Sequence, residues 1–220
     1  MGHKKPGYAV QGDRSQPASP HQTMDQRTAQ GRAPVHQNGD IQALIETARL
    51  LVRKFRAEDG DDLFEFLSLP EIYTFEPGEP IDRATAGEVA AERATTGNFF
   101  AVELKETGKM VGHLYFQRLN PTKFLTWELG YIFNPAYHRR GYCSESAHTL
   151  VGYGFSALGA HRVVANCDPR NEASWRTLER IGLKREGHFR KHAFFRANAN
   201  GKPLWRDCLS YGVLEEDWTR

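Results

Sequence analysis

Apolar positions along the chain change their spacing several times, and each spacing predicts an element. Arg49 to Phe55 reads as a strand. Asp59 to Leu67 carries Leu63, Phe64 and Leu67 at helical spacing until Pro70, which cannot continue a helix. A looser, Pro-rich stretch with short helices follows. Phe99 to Leu104 and Met110 to Gln117 are apolar runs joined across Glu106-Thr107-Gly108-Lys109, the pattern of a β-hairpin. Asn120-Pro121 turns the chain into a third strand, Phe124 to Phe133, which Asn134-Pro135 ends. Gly141 to Leu158 places Ala147, Leu150, Val151, Phe155 and Leu158 on one helical face. Val163 to Cys167 is a strand, and Glu172 to Ile181 a helix with Gly182 placed as its cap. Strands around Gly187 to Phe195 and Trp205 to Leu214 close the chain, flanking a loop at Asn198 to Pro203. The spacing also suggests a short helix near Ile41 (Ile41, Leu44, Ile45, Ala48). Strand, helices, meander, helix, strand, helix, hairpin is the order of a single mixed α/β (α+β) domain. It is not the regular alternation of a doubly wound dinucleotide fold.

The first forty residues break with this pattern. No Leu, Ile, Phe or Trp occurs before Ile41, and Gln, Pro, Gly, Ser and His dominate. Such a segment cannot bury enough apolar surface to offset the entropy of ordering, so residues 1–40 are expected to form a disordered arm and 41–220 the domain. The arm holds five Lys or Arg against three Asp, which accounts for the whole net charge of +2. The body is neutral, which argues against a nucleic-acid partner. Three cysteines are too few and too scattered for a disulfide framework or a zinc site, so no metal is expected. No apolar run approaches the roughly 18 residues of a membrane span. The arm has no apolar core of a signal peptide, and after Met1-Gly2 it carries Pro6 where a myristoylation signal wants Ser or Thr. A soluble, cytoplasmic protein with no membrane partner is the expectation.

Two segments carry the chemistry. In Phe133-Asn-Pro-Ala-Tyr-His-Arg-Arg-Gly141-Tyr-Cys-Ser144 a strand ends, the chain turns, and a glycine opens an amphipathic helix. The first turn of a helix leaves backbone N–H groups unpaired and concentrates positive partial charge, which favours an anion. Arg139 and Arg140 add full charges, and Gly141 lets a ligand approach the backbone. The segment reads as a pyrophosphate cradle, yet it is neither a P-loop nor a dinucleotide fingerprint. The second segment is Asp168-Pro-Arg-Asn171-Glu-Ala-Ser174, where Asn171 is placed to cap the following helix.

Taken with Arg180-x-Gly182-Leu183, the opening Arg49-Leu-Leu-Val-Arg53, the strand Trp127-Glu-Leu-Gly-Tyr131 and the ending Glu186-Gly187, Trp205-Arg-Asp207 and Tyr211, this ordered set resembles the GNAT N-acetyltransferase superfamily. More narrowly, it is similar to the ribosomal-protein-alanine N-acetyltransferases of RimJ/RimL type. The resemblance covers about residues 47–218. It implies a central mixed, mostly antiparallel sheet flanked by helices, with acetyl-CoA as co-substrate. It also implies that the amides of Arg139, Arg140, Gly141, Tyr142, Cys143 and Ser144 bind the pyrophosphate, that Ile132 and Phe133 pair with pantetheine, and that Asn171 contacts CoA. The family's cradle pattern, Gln/Arg-x-x-Gly-x-Gly/Ala, reads His138-x-x-Gly141-x-Cys143 here.

Acetyl transfer to an amine requires removal of the ammonium proton, donors for the carbonyl oxyanion, and stabilisation of the departing thiolate. Glu128 is the candidate base, because it alternates with Leu125, Trp127 and Leu129 and so leaves their apolar face. A backbone N–H near Ile132 to Asn134 would serve the oxyanion. Many relatives carry a Tyr seven residues after the Asn, where this chain has Leu178; Ser174 matches the hydroxyl this branch directs at the sulfur. Tyr211 and His113 are further candidates, though an aromatic on a terminal strand is more often core and a lone strand histidine is usually structural or exposed. The acceptor expected is a protein or peptide N-terminus. The alternatives are a small amine (aminoglycoside, amino sugar or polyamine) and a CoA-binding module without activity.

Overall fold

The computed structural model describes residues 45–218, so the arm at 1–40 and the start of the expected helix at Ile41 lie outside the described residues. Ile45, which the spacing assigned to that helix, instead begins the short strand β1 (Ile45–Glu46), paired antiparallel with β2 (Leu50–Lys54). α1 (Gly60–Leu67), α2 (Arg83–Thr96), β3 (Phe99–Leu104), β4 (Met110–Arg118), β5 (Thr126–Phe133), α3 (Tyr142–Ala157), β6 (Arg162–Cys167), α4 (Glu172–Arg180), β7 (Lys184–Ala193) and β8 (Arg206–Leu214) follow. The eight strands form one sheet in the order β1-β2-β3-β4-β5-β6-β8-β7, antiparallel throughout except for the β5–β6 pair. This is the mixed, mostly antiparallel α/β architecture expected from the chain.

α2 is longer than the short helices anticipated for that stretch. Its fourteen residues bury only Ala86 and Ala90, so it has almost no apolar stripe to read. It forms because Asp82 caps it, accepting a hydrogen bond from the Thr85 N–H at 2.8 Å, and because small residues let it lie close to α1. A Cβ added at Gly60 would sit 2.9 Å from the Gly87 Cα.

Each face of the sheet has its own core. Phe100, Leu114, Phe116, Trp127, Leu150 and Tyr211 belong to the cluster shared with α3 and α4. Phe55, Leu63, Phe66, Ala90 and Met110 form the cluster shared with α1 and α2. Strand alternation sorts β5 between them: Trp127, Leu129 and Phe133 are buried towards α3, while Glu128, Gly130 and Ile132 face the other way.

The parallel pairing stops early. Thr126, Trp127 and Glu128 pair with Arg162, Val163 and Val164, after which β5 continues to Phe133 and β6 to Cys167 without a further pair between them. The sheet therefore opens into a V at its centre. Leu119 N–H donates to Thr126 O and Asn134 N–H to Val111 O, which fixes the antiparallel alternation between β4 and β5. The N–H and C=O groups of Tyr131 and Phe133 then point away from β4, into the V.

Candidate active site

α3 begins at the end of that opening. Gly141 is its N-cap residue at φ +81°, and Arg139 also adopts a left-handed φ of +61°. This backbone path exposes the amides from Arg139 to Ser144. Among the described residues none of them donates a hydrogen bond, and the first intrahelical contact comes from Glu145 N–H to Gly141 O at 3.0 Å. Arg49 braces the turn: its Nη1 donates to Arg140 O at 3.0 Å, it pairs with Glu145 at 2.6 Å, and it lies 4.7 Å from the Tyr142 ring centroid. Arg180 Nη1, from α4, donates to Ser144 Oγ at 3.3 Å, so a further cation stands at the same helix end. His138 folds back, its Nε2 3.0 Å from Phe133 O.

α4 supplies the opposite wall. Asn171 caps it, its Oδ1 accepting from Ser174 N–H at 3.2 Å. Tyr131 Oη donates to Ser174 O at 3.0 Å and lies 3.1 Å from Ser174 Oγ, forming a hydroxyl pair across the V. Burial pushes the Tyr131 phenol far above its ordinary value, so it stays protonated. The same cause raises the Cys143 thiol, with Arg180 opposing it, and the thiol is inert at neutral pH.

A cavity of about 580 Å³ lies beside this pair, under the segment between α1 and α2. Ser174, Tyr131, Ile132 and Leu178 line it on one side and Glu76, Arg93 and His113 on others. A smaller cavity of about 280 Å³ shares Glu76, Pro77, Asn166 and Ser174 with it. Burial raises the Glu76 carboxyl above its usual range. Glu128 does not line either cavity; it stands at the rim, on the strand face of Gly130 and Ile132, accepting from Asn166 Nδ2 at 3.2 Å.

The structure thus gathers Ile132, Ser174 and the 139–144 turn around one opening and leaves Glu128 at its edge. Ile132 contributes its side chain to the cavity, while its backbone groups belong to the ladder with β4, so the free edge of the strand is Tyr131 and the Phe133 N–H, the Phe133 carbonyl being engaged by His138. Tyr211 is core: 1% exposed, it donates to Glu179 Oε1 at 3.0 Å, and burial and Glu179 push it up to about 12. His113 is 2% exposed among Phe55, Phe66 and Phe99, and burial and Arg93 hold it well below its ordinary range, hence neutral. Glu76, Arg93 and Tyr131 went unnoticed as site residues; Glu76 lies in Phe75-Glu-Pro-Gly-Glu-Pro80, where turn residues around a carboxylate were the only sign.

Residues 49–184 match the profile of the acetyltransferase (GNAT) domain family. The uncharacterized N-acetyltransferase YnaD of Bacillus subtilis is 33% identical over 175 residues, spanning 79% of this chain and 98% of YnaD. The chain belongs to the GNAT acetyltransferase family. A GNAT acetyltransferase from Bacillus anthracis, solved by crystallography, superposes with a TM-score of 0.70 at 32% identity, over 78% of this chain and 98% of that one. The [ribosomal protein uS5]-alanine N-acetyltransferase of Escherichia coli is 23% identical over 186 residues, covering 80% of this chain and 92% of that enzyme. This GNAT protein is therefore an acetyl-CoA-dependent N-acetyltransferase with RimJ-like relatives. Among the described residues no cluster of His, Cys, Asp or Glu could hold a metal ion, and no helix is long and apolar enough to cross a membrane.

Proposed function

We propose that this acetyltransferase moves the acetyl group directly from acetyl-CoA to a primary amine that enters through the 580 Å³ cavity, the terminus of a protein or peptide being the first candidate acceptor. The observation that carries the reading is that the V-shaped opening lies between the uncapped amides of residues 139–144 at the start of α3 and the Tyr131–Ser174 pair that lines that cavity. Those amides, with Arg139, Arg140 and Arg180, suit the pyrophosphate of CoA. The free edge of Tyr131 and Phe133 suits the amide groups of pantetheine, and Asn171 holds the facing helix end in place. The RimJ-like relative named for an alanine terminus supports the acceptor class.

In the transfer the amine nitrogen attacks the thioester carbonyl, the C–N bond forms, the C–S bond breaks, and the products are an N-acetyl amine and CoA. A backbone N–H on the free edge of β5 faces the developing oxyanion. Ser174 Oγ, supported by Tyr131, stabilises the departing thiolate by hydrogen bonding. Glu76 takes the ammonium proton, because it lines the cavity beside Ser174 and its buried carboxylate has the greater proton affinity. Glu128 at the rim draws the cation in.

Glu76→Gln and Glu128→Gln test this assignment together. A base must be ionised to act, and burial keeps Glu76 protonated to higher pH than a solvated Glu. Turnover should therefore climb with pH through that raised value. Glu76→Gln should remove the acidic limb and lower kcat by roughly 10²–10⁴-fold with CoA affinity retained; Glu128→Gln should raise KM and keep the limb. The reverse outcome would make Glu128 the base. Unchanged profiles in both would mean that the amine loses its proton in solvent and the enzyme acts by holding the reactants together.

A further inference from the structure

Arg93 is partly buried and reaches the cavity wall from α2 with no side-chain hydrogen bond, the neighbouring Glu92 and Tyr73 acting on its charge only at a distance. Its guanidinium lies over Phe99, 4.2 Å from the ring centroid, and 5.4 Å from that of Phe55. Nη1 is shielded from solvent and meets no hydrogen-bond partner in the protein. Burial draws its pKa down to about 10, still far above neutral, so it remains a cation. His113 lines the same cavity, and its Nδ1 is likewise buried without a partner. Taking part of a charged group out of water is costly, and a counter-charge hydrogen-bonded to it offsets that cost. A structural role would have been met by an apolar side chain among Leu67, Ile81, Val89 and Phe99, which form the nearby lining.

The lining points to one chemistry. A guanidinium offers a planar fork of donors that matches a carboxylate. The neutral His113 ring beside it supplies a further polar contact. Glu76, at the Ser174 side of the same cavity, has the sign and position to meet an ammonium. A polyamine or aminoglycoside would instead bring a like charge towards a partly buried cation that has no hydrogen-bonded counter-charge, where repulsion is screened less than in water. We propose that the acceptor is an amino carboxylate, its amine held at Glu76 beside Ser174 and its carboxylate held by Arg93. This inference rests on the acetyltransferase reading of the same cavity. The carboxylate could belong to a free amino acid or to an acidic residue next to a peptide terminus, and the two sources share the recognition.

The test uses matched acceptors with the full-length protein and acetyl-CoA. One arm compares free amino acids with their own carboxamides; the other compares Ala-Asp and Ala-Asn tetrapeptides with amidated ends. CoA release and product mass report turnover, and calorimetric titration of the same pairs reports binding whether or not turnover occurs. The acid member of one arm should be favoured at least tenfold in kcat/KM or affinity, and the arm that responds names the source. Arg93→Gln should collapse that preference by raising KM for the acid, with a far smaller effect on its amide, and Arg93→Lys should keep part of it. Equal use of acid and amide by the wild-type protein, or an undiminished preference in a folded Arg93→Gln, overturns the proposal. Loss of CoA binding and of transfer to every amine would instead refute the acetyltransferase reading, while the calorimetric comparison would still decide the role of Arg93.

Discussion

Gly141 concentrates the requirements of the cradle in one residue. Its φ of +81° is a conformation that side chains rarely adopt, and an added Cβ would lie 3.4 Å from Arg49 Nη2. Asp and Asn tolerate left-handed backbone better than other side chains. Gly141→Asn and Gly141→Asp therefore share the strain and differ in charge. Gly141→Asp should weaken CoA binding at least tenfold, about 1.4 kcal/mol, and clearly more than Gly141→Asn, with both variants folded. Equal CoA affinity of Gly141→Asp and wild type in a calorimetric titration would remove the turn from the pyrophosphate site.

Among elements, β2 and the turn before α1 are tied by charge rather than by apolar contact. Arg53, 5% exposed, holds both oxygens of Asp59, also 5% exposed, at 2.8 and 2.7 Å and donates to Glu103 at 2.6 Å. Asp59 Oδ2 also accepts from Arg56 N–H at 2.7 Å, closing the turn that leads into α1. Removing one partner of a buried pair strands the other, at a cost of roughly 3–5 kcal/mol. Asp59→Ala should lose stability of that order in urea denaturation. Asp61→Ala, which breaks only the exposed pair with Arg83, should stay within about 0.5 kcal/mol. Comparable losses for the two would show that the Arg53 network does not anchor α1.

At the scale of the molecule, the V between β5 and β6 joins a helix N-terminus on one side of the sheet to a cavity on the other. The cofactor turn and acceptor pocket we propose both depend on that break in pairing. Residues 1–40 lack the large aliphatic side chains that packing on the domain would require. Deletion of residues 1–38 should leave the melting temperature and turnover on a small acceptor nearly unchanged. A fall of many degrees in a thermal scan would mean that the segment completes the fold.

Element order, strand alternation on β5, the α3 and α4 faces, and the turns that open those two helices were legible in the sequence, because each depends on neighbours within a few residues. Gly141 and Asn171 announced their caps by residue type alone, and the ordered motifs placed the chain among acetyltransferases. α2 was harder to read, since its contact with α1 depends on small residues and a cap instead of an apolar stripe. The base we propose shows the limit most clearly. Strand alternation puts Glu128 on the open face, whereas Glu76 joins Ser174 in the cavity lining, and Arg93 Nη1 is left without a hydrogen bond, only through tertiary packing. Burial, proton affinity and the absence of a partner are properties of groups far apart in the chain. They come into being only when the sheet opens and its two sides are covered.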